Sequence, residues 1–226
     1  MPDPTRPLHL AVALDRPGPY AAEPYAGAAR LAERGCLDFV TLGDAPGPPG
    51  GKGDRPDALA VLARVASATE RIGLVPTVTA AHAEPFQLSS ALATLDRVSR
   101  GRAGWTVEVP AGGAQARVSG RRGAPDAHAA GREAGAAAAG REAGAVAAGR
   151  EAGAAAAWRE AGVVAGVVAR LWDGREDDAG SSAVATGRWA DRDTGRRAGF
   201  EGPGCGGRAP AVVPRPPQGR PVTAVD

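Results

Sequence analysis

An α/β chain built on a parallel sheet is what this sequence predicts, and three observations carry that prediction. Apolar, β-type segments begin near residues 8, 37, 72 and 103, which lie 29, 35 and 31 residues apart. Segments of helical spacing fill the intervals, and that unit length suits a strand, a crossover helix and the next parallel strand. Core-forming residues (Val, Leu, Ile, Phe) are concentrated in the front half, with 24 of the 37 lying in residues 1–110. A barrel and a doubly wound sheet both satisfy these observations.

Each element has its own signal. Leu8–Leu14 reads as a buried strand. Tyr25–Arg34 has helical spacing and stops at Gly35, a C-cap glycine. Leu37–Leu42 is the second strand, and Cys36 just before it reads as a core residue. Asp54-Arg55-Pro56 offers a cap and an early-helix proline, followed by Leu59, Leu62 and Ala66 on one stripe. Ile72–Thr79 is the third strand, where Pro76 predicts a bulge or an exposed ladder position. Pro85 opens a helix with Leu88, Leu92, Leu95 and Val98 on one stripe, closed by Gly101, and Gly104–Val109 is the fourth strand.

The character then changes. Gly131-Arg132-Glu133-Ala134-Gly135 recurs from Gly140 and Gly149, and again as Trp158–Gly162, with a period of nine. Nine residues make about 2.5 helical turns, so successive Arg-Glu pairs fall on opposite sides and no continuous apolar face forms. Alanine favours helix, while each glycine costs about 1 kcal/mol against alanine. A frayed helix or disorder is expected over 111–157. From Val163 to Trp172 an amphipathic stripe returns (Val163, Val164, Val167, Val168, Leu171, Trp172). Residues 174–210 are rich in Gly, Arg and Asp, and Pro214–Pro221 leads stiffly into one more short strand. The expected organisation is a half-barrel over 1–110, the low-complexity repeat over 111–157, and a helix, a polar insertion and the start of a fifth strand over 158–226.

Composition excludes several functions. Ala, Gly and Pro make up 105 of the 226 residues, and 27 basic against 25 acidic side chains leave a net charge of +2. So balanced a chain offers no field for nucleic acid or an anionic membrane. No apolar run approaches the ~18 residues of a membrane span, and the first seven residues lack a signal-peptide core, so a cytoplasmic address is expected. Two cysteines and three histidines show no metal-ligand spacing. Gly47–Gly53 falls short of a phosphate loop, because Pro46 and Gly53 stand where Gly and Ser or Thr are needed.

In parallel α/β folds the site lies at the C-terminal ends of the strands. The residues there are Asp15, Asp44, Thr77, Thr79, His82 and Glu108. Asp44 reads either as an acceptor for a polar ligand or as a loop cap. Thr77 and Thr79 either point hydroxyls into a barrel mouth or reflect β-propensity. His82 is either an acid, base or substrate contact or an exposed loop histidine.

Several stretches carry a more specific likeness: Leu8–Asp15, Glu33–Thr41, Thr69–Thr77, Glu84-Pro85-Phe86, Ala93–Gly104 and Leu171-Trp172-Asp173. Together they resemble the bacterial luciferase-like flavin monooxygenases, in the branch that includes nitrilotriacetate and dibenzothiophene-sulfone monooxygenases. Glu176–Ala179, Gly187–Asp193 and Pro214–Pro221 resemble that branch's insertion between strands four and five. The resemblance implies a TIM barrel that uses reduced FMN, supplied by a separate NAD(P)H-dependent flavin reductase, and O2 to oxygenate a small organic substrate. A deazaflavin on the same fold is the alternative cofactor, and a homo-oligomer is left open. By motif position Asp44 resembles a flavin-contacting acid and Thr77 or Thr79 a hydroxyl contact to the cofactor. His128 matches the first member of a His and Tyr pair, although Arg132 stands at the second position. A second departure is Trp105-Thr106-Val107, where the family has Trp-Asn-Val. A full barrel takes about 250 residues, so the expectation is an incomplete TIM barrel of about the first five strands, C-terminally truncated. The rival expectation is a non-catalytic truncated paralogue or frameshifted product.

Overall fold

The structure, a computed structural model, describes residues 8–15, 21–43, 56–79, 84–109, 139–174, 198–202, 205–209 and 214–225. Its strands are β1 (Ala11–Ala13), β2 (Phe39–Gly43), β3 (Gly73–Thr79), β4 (Gly104–Glu108), β5 (Ala198–Gly202), β6 (Cys205–Ala209) and β7 (Val222–Val225). Its helices are α1 (Glu23–Arg34), α2 (Ala58–Ala66), α3 (Pro85–Val98) and α4 (Ala139–Asp173). One sheet runs β1-β2-β3-β4-β7, all parallel and in sequence order, and β5 and β6 form a separate antiparallel pair. Five parallel strands in chain order are the wall of an α/β barrel, as the sequence predicts.

Alternation along the strands divides the two faces. Leu14, Val40, Leu42, Leu74, Val78, Trp105 and Val107 are buried under the helices. In an extended chain their neighbours take the other face: Ala13 and Asp15, Thr41 and Gly43, Thr77 and Thr79, Thr106 and Glu108. The outer core has two parts. Tyr25, Ala26 and Ala29 of α1 and Val61, Leu62 and Val65 of α2 cover β1 to β3. Leu88 and Leu92 of α3 and Ala161, Val164, Val168 and Trp172 of α4 cover Val78, Trp105 and Val107. The Trp172 indole also donates to the Ser89 carbonyl at 3.0 Å.

Several local expectations are corrected. The α2 cap is Asp57, whose carboxylate accepts from the Ala60 N–H at 2.6 Å; residues 54 and 55 lie outside the described residues. Gly35 caps α1 as expected, at φ −76° rather than in the left-handed region, while the residue after it, Cys36, is left-handed at φ 59° and exposed rather than in the core. Pro76 is buried and makes no bulge. The bridge Leu74↔Ala103 and the ladder resuming at Thr77↔Thr106 keep one offset, so the ladder skips the residue that lacks an N–H. Val98 is exposed, because a helix that buries Leu88, Leu92 and Leu95 next buries Asp96 and Ser99. The β5–β6 pair was not foreseen, since its sequence carries no apolar alternation. The nine-residue repeat is helical from Ala139 on and continuous with the anchored segment that ends at Asp173. Residues 110–138 and 47–53 lie outside the described residues. No helix among those described is long and apolar enough to cross a membrane.

Polar side chains stitch the ends of the helices to the starts of the strands. Asp38 accepts from the Leu10 N–H at 2.7 Å, ahead of β1. Glu33, at the end of α1, accepts from the N–H groups of Glu70 (2.9 Å), Arg71 and Ile72 (3.0 Å), ahead of β3. The Arg102 guanidinium donates to the carbonyls of Ala66, Thr69, Ile72 and Ser99 and to the Thr69 hydroxyl at 2.7–3.1 Å, ahead of β4. Asp96 is 0 % exposed. Its Oδ1 accepts from the Ala103 N–H at 3.2 Å and the Gln218 Nε2–H at 2.6 Å, and its Oδ2 from the Gln218 N–H at 3.1 Å. Arg220, ahead of β7, pairs through two nitrogens with the Asp173 carboxylate at the end of α4.

Burial pushes the Glu33 carboxyl up, but the N–H groups of Arg71, Ile72 and Glu70, helped by the Arg71 charge, hold it below the ordinary 4.5. A carboxyl depressed in the folded state adds stability that is complete above its unfolded value and is lost as pH falls through the folded value. The Arg220 hydrogen bond depresses Asp173 in the same sense. Urea unfolding is therefore expected to show Glu33→Gln less stable than the parent at pH 7, with the gap narrowing as pH falls below 4.5. A gap that stays constant with pH would remove Glu33 from this role.

Candidate functional site

The stitched ends form one rim of the barrel wall, its floor. The opposite, C-terminal rim is where such a wall gathers its chemistry. Strand register brings the inner-face residues of that rim into two rows. In one, Gly43 pairs with Thr77, Thr77 with Thr106, and Thr106 with Ala224. Asp15 closes this row on the β1 side, accepting from the Gly43 N–H at 3.1 Å. One step further up, Thr79 pairs with Glu108.

Hydroxyls therefore dominate this surface. Thr77, Thr79, Thr106 and Glu108 are each half-buried. The Thr79 Oγ1 is shielded from solvent and has no hydrogen-bond partner. A buried, unpaired hydroxyl is uncommon in a folded protein. Gly43 brings no side chain to the rim, so the row beside it consists of Thr77 and Thr106. Among the described residues no group of three His, Cys, Asp or Glu could hold a metal ion.

Thr77 and Thr79 stand where the sequence placed them, on adjacent inner positions of β3. Asp44, His82 and His128 lie outside the described residues. Thr106 entered the sequence reading only as a departure from a family pattern, yet the register sets it beside Thr77. Thr41, one layer deeper and opposite Ala13 and Val75, was not singled out. Its signal was present: it lies two residues before Gly43 on the same face.

The chain matches the luciferase-like monooxygenase family over residues 11–134, more than half its length, and it belongs to that family. The nitrilotriacetate monooxygenase component A of Aminobacter aminovorans is 33% identical over 217 residues, which cover 88% of this chain and 41% of that protein. The dibenzothiophene-sulfone monooxygenase of Rhodococcus erythropolis is 27% identical over 212 residues, with 88% and 41% covered. Among solved structures, a long-chain alkane monooxygenase superposes with a TM-score of 0.73 at 16% identity, covering 98% of this chain and 52% of that one. The chain spans about 40% of the length of these two curated relatives and about half of the solved neighbour.

If the Thr79 hydroxyl is there for a ligand, removing it from the free protein should do little harm. Thr79→Val is expected to leave the urea midpoint unchanged or raise stability by up to about 1 kcal/mol, because deleting an unpaired buried polar group relieves its desolvation. A loss beyond about 1 kcal/mol would show that the hydroxyl serves the fold instead.

Proposed function

We propose that this chain provides the flavin-side wall of a luciferase-like, FMN-dependent monooxygenase. The reading is carried by one observation: a chain of this family has its hydroxyl row, with an unpartnered Thr79 Oγ1, on the inner face at the C-terminal rim. The FMN, once reduced, would supply the chemistry that activates O2 and oxygenates a small organic substrate. In this reading the reduced flavin comes from a separate NAD(P)H-dependent reductase.

The residues' own part is binding and exclusion. Thr77 and Thr79 offer hydroxyls that donate to ring carbonyls or accept from ring N–H groups. Gly43 lets the ring lie close to the backbone. Thr106, next to Thr77, adds a third hydroxyl at the position where the family pattern has Asn. Asp44, directly after Gly43, is proposed as the acid that accepts from the cofactor. His82 is proposed to face the substrate and His128 the cofactor. The apolar layer under β4 (Trp105, Val107) keeps water from the outer side of the row, as a flavin site must.

Titration of the protein into FMN is expected to quench flavin fluorescence saturably, and Thr77→Val to weaken binding about 3–10-fold, the worth of one neutral hydrogen bond. No quenching at any protein concentration would overturn the reading. Quenching of a deazaflavin but not of FMN would move it to the other cofactor.

A further inference from the structure

We propose that Asp15 is a positioning residue: its carboxylate takes the place of the last backbone rung between β1 and β2 and so holds the Gly43 end of the Gly43–Thr77–Thr106 row where the flavin ring is to lie. This rests on the flavin reading of the rim, and it goes beyond that reading by naming a group that acts on the cofactor through another residue.

Ladder geometry shows the substitution. β1 pairs with β2 from Ala11↔Phe39 to Ala13↔Thr41, and the Leu14 N–H then donates to the Thr41 carbonyl at 2.8 Å. In a parallel ladder the next bond runs from the Gly43 N–H back to the Leu14 carbonyl. That N–H donates instead to Asp15 Oδ1 at 3.1 Å. Bonds from a backbone N–H to a carboxylate are about twice as strong as neutral ones, so the rung is kept and is made by a side chain.

The other end of the same strand pair supplies a comparison. There Asp38 reaches from the start of β2 to the Leu10 N–H at 2.7 Å, and both contacts join residues 28 positions apart. The two carboxylates fasten the three-residue β1 to β2, but they act at opposite rims. Asp38 works at the floor. Asp15 works on Gly43, which pairs with Thr77, as Thr77 pairs with Thr106. With no side chain to pack, Gly43 is the least constrained residue of β2. Strand pairing supports it on the β3 side, while pairing with β1 has ended at Thr41. On the β1 side the Asp15 carboxylate supplies the support. A shift of the Gly43 peptide moves the end of β2 against the two hydroxyls that the flavin is to meet.

The test measures FMN fluorescence quenching by the whole protein, and amide exchange read by NMR, in Asp15→Ala, Asp15→Asn and Asp38→Ala. Asp15→Ala is expected to weaken FMN binding about 5–10-fold and to speed exchange at Gly43. The visible absorption bands of the flavin it binds are expected to move toward those of free FMN. Asp15→Asn, which keeps a carbonyl acceptor at the same reach, is expected to bind FMN within about twofold of the parent. Asp38→Ala loosens the same strand pair at the floor. It is expected to speed exchange at Leu10 and to leave FMN affinity within about twofold. Equal weakening by Asp15→Ala and Asp38→Ala would show that both carboxylates serve only the attachment of β1, and it overturns the proposal. An Asp15→Ala protein of full affinity, or an Asp15→Asn protein as weak as Asp15→Ala, overturns it as well. Each of these results leaves the flavin reading standing, because the parent quenches FMN in all of them. A parent that does not quench FMN removes the flavin reading, and the proposal with it.

Discussion

A fully buried carboxylate must find donors, and Asp96 finds them on segments far apart in the chain. Ala103 is 7 residues away and Gln218 is 122. Asp96 falls on the core-facing side of α3 one position after Leu95, so the helix delivers it under the sheet where β4 begins. Two left-handed residues, Arg100 at φ 61° and Gly101 at φ 82°, turn the chain back over it. The Pro216–Gly219 turn, closed by the Gly219 N–H on the Pro216 carbonyl at 2.8 Å, then presents Gln218. The Gln218 amide donates to Asp96 and to the Ala103 carbonyl at 2.8 Å. β7 leaves this turn in register with β4, and the Trp105 indole N–H meets the Thr223 hydroxyl at 2.9 Å. The Asp96 contacts thus tie the returning end of the excursion between β4 and β7 to the start of β4.

The same logic repeats along the floor. Asp38, Glu33, Arg102 and Arg220 each fasten the start of a strand to another part of the chain. These are the residues within which the family likeness was legible: Glu33–Thr41, Thr69–Thr77 and Ala93–Gly104 all run through the stitched end of the barrel. The strongest sequence motifs therefore describe how the wall is held, and the rim proposed as the site is described by weaker signals. This division follows from geometry. Floor contacts are made by side chains of fixed type at fixed spacing, whereas the rim is built by strand register, which one sequence does not display.

That asymmetry decides how much could be read in advance. The four strands, their helices and the short fifth strand near residue 222 were legible, because apolar periodicity and unit length survive in a single sequence. The cap at Asp57, the exposed Cys36 and the burial of Asp96 and Ser99 in place of Val98 were not. Each is settled by where a helix stops relative to the sheet, a tertiary matter. The pairing of Thr77 with Thr106 and of Thr79 with Glu108 was equally hidden, since it joins residues about 30 positions apart. The outer strands show what the wall still presents: Leu8 is 81% exposed on the β1 side, and Val225 is 72% exposed in β7.

The dependence of β7 on Asp96 is open to direct measurement by amide hydrogen exchange in the parent and in Asp96→Ala. Protection at Thr223–Val225 and at Ala103 should collapse, while Val40, Leu42 and Leu74 in β2 and β3 keep theirs, because loss of the carboxylate opens a local unit. Undiminished protection in β7, or an equal loss across all strands, would show that the fifth strand is held by something other than this buried contact.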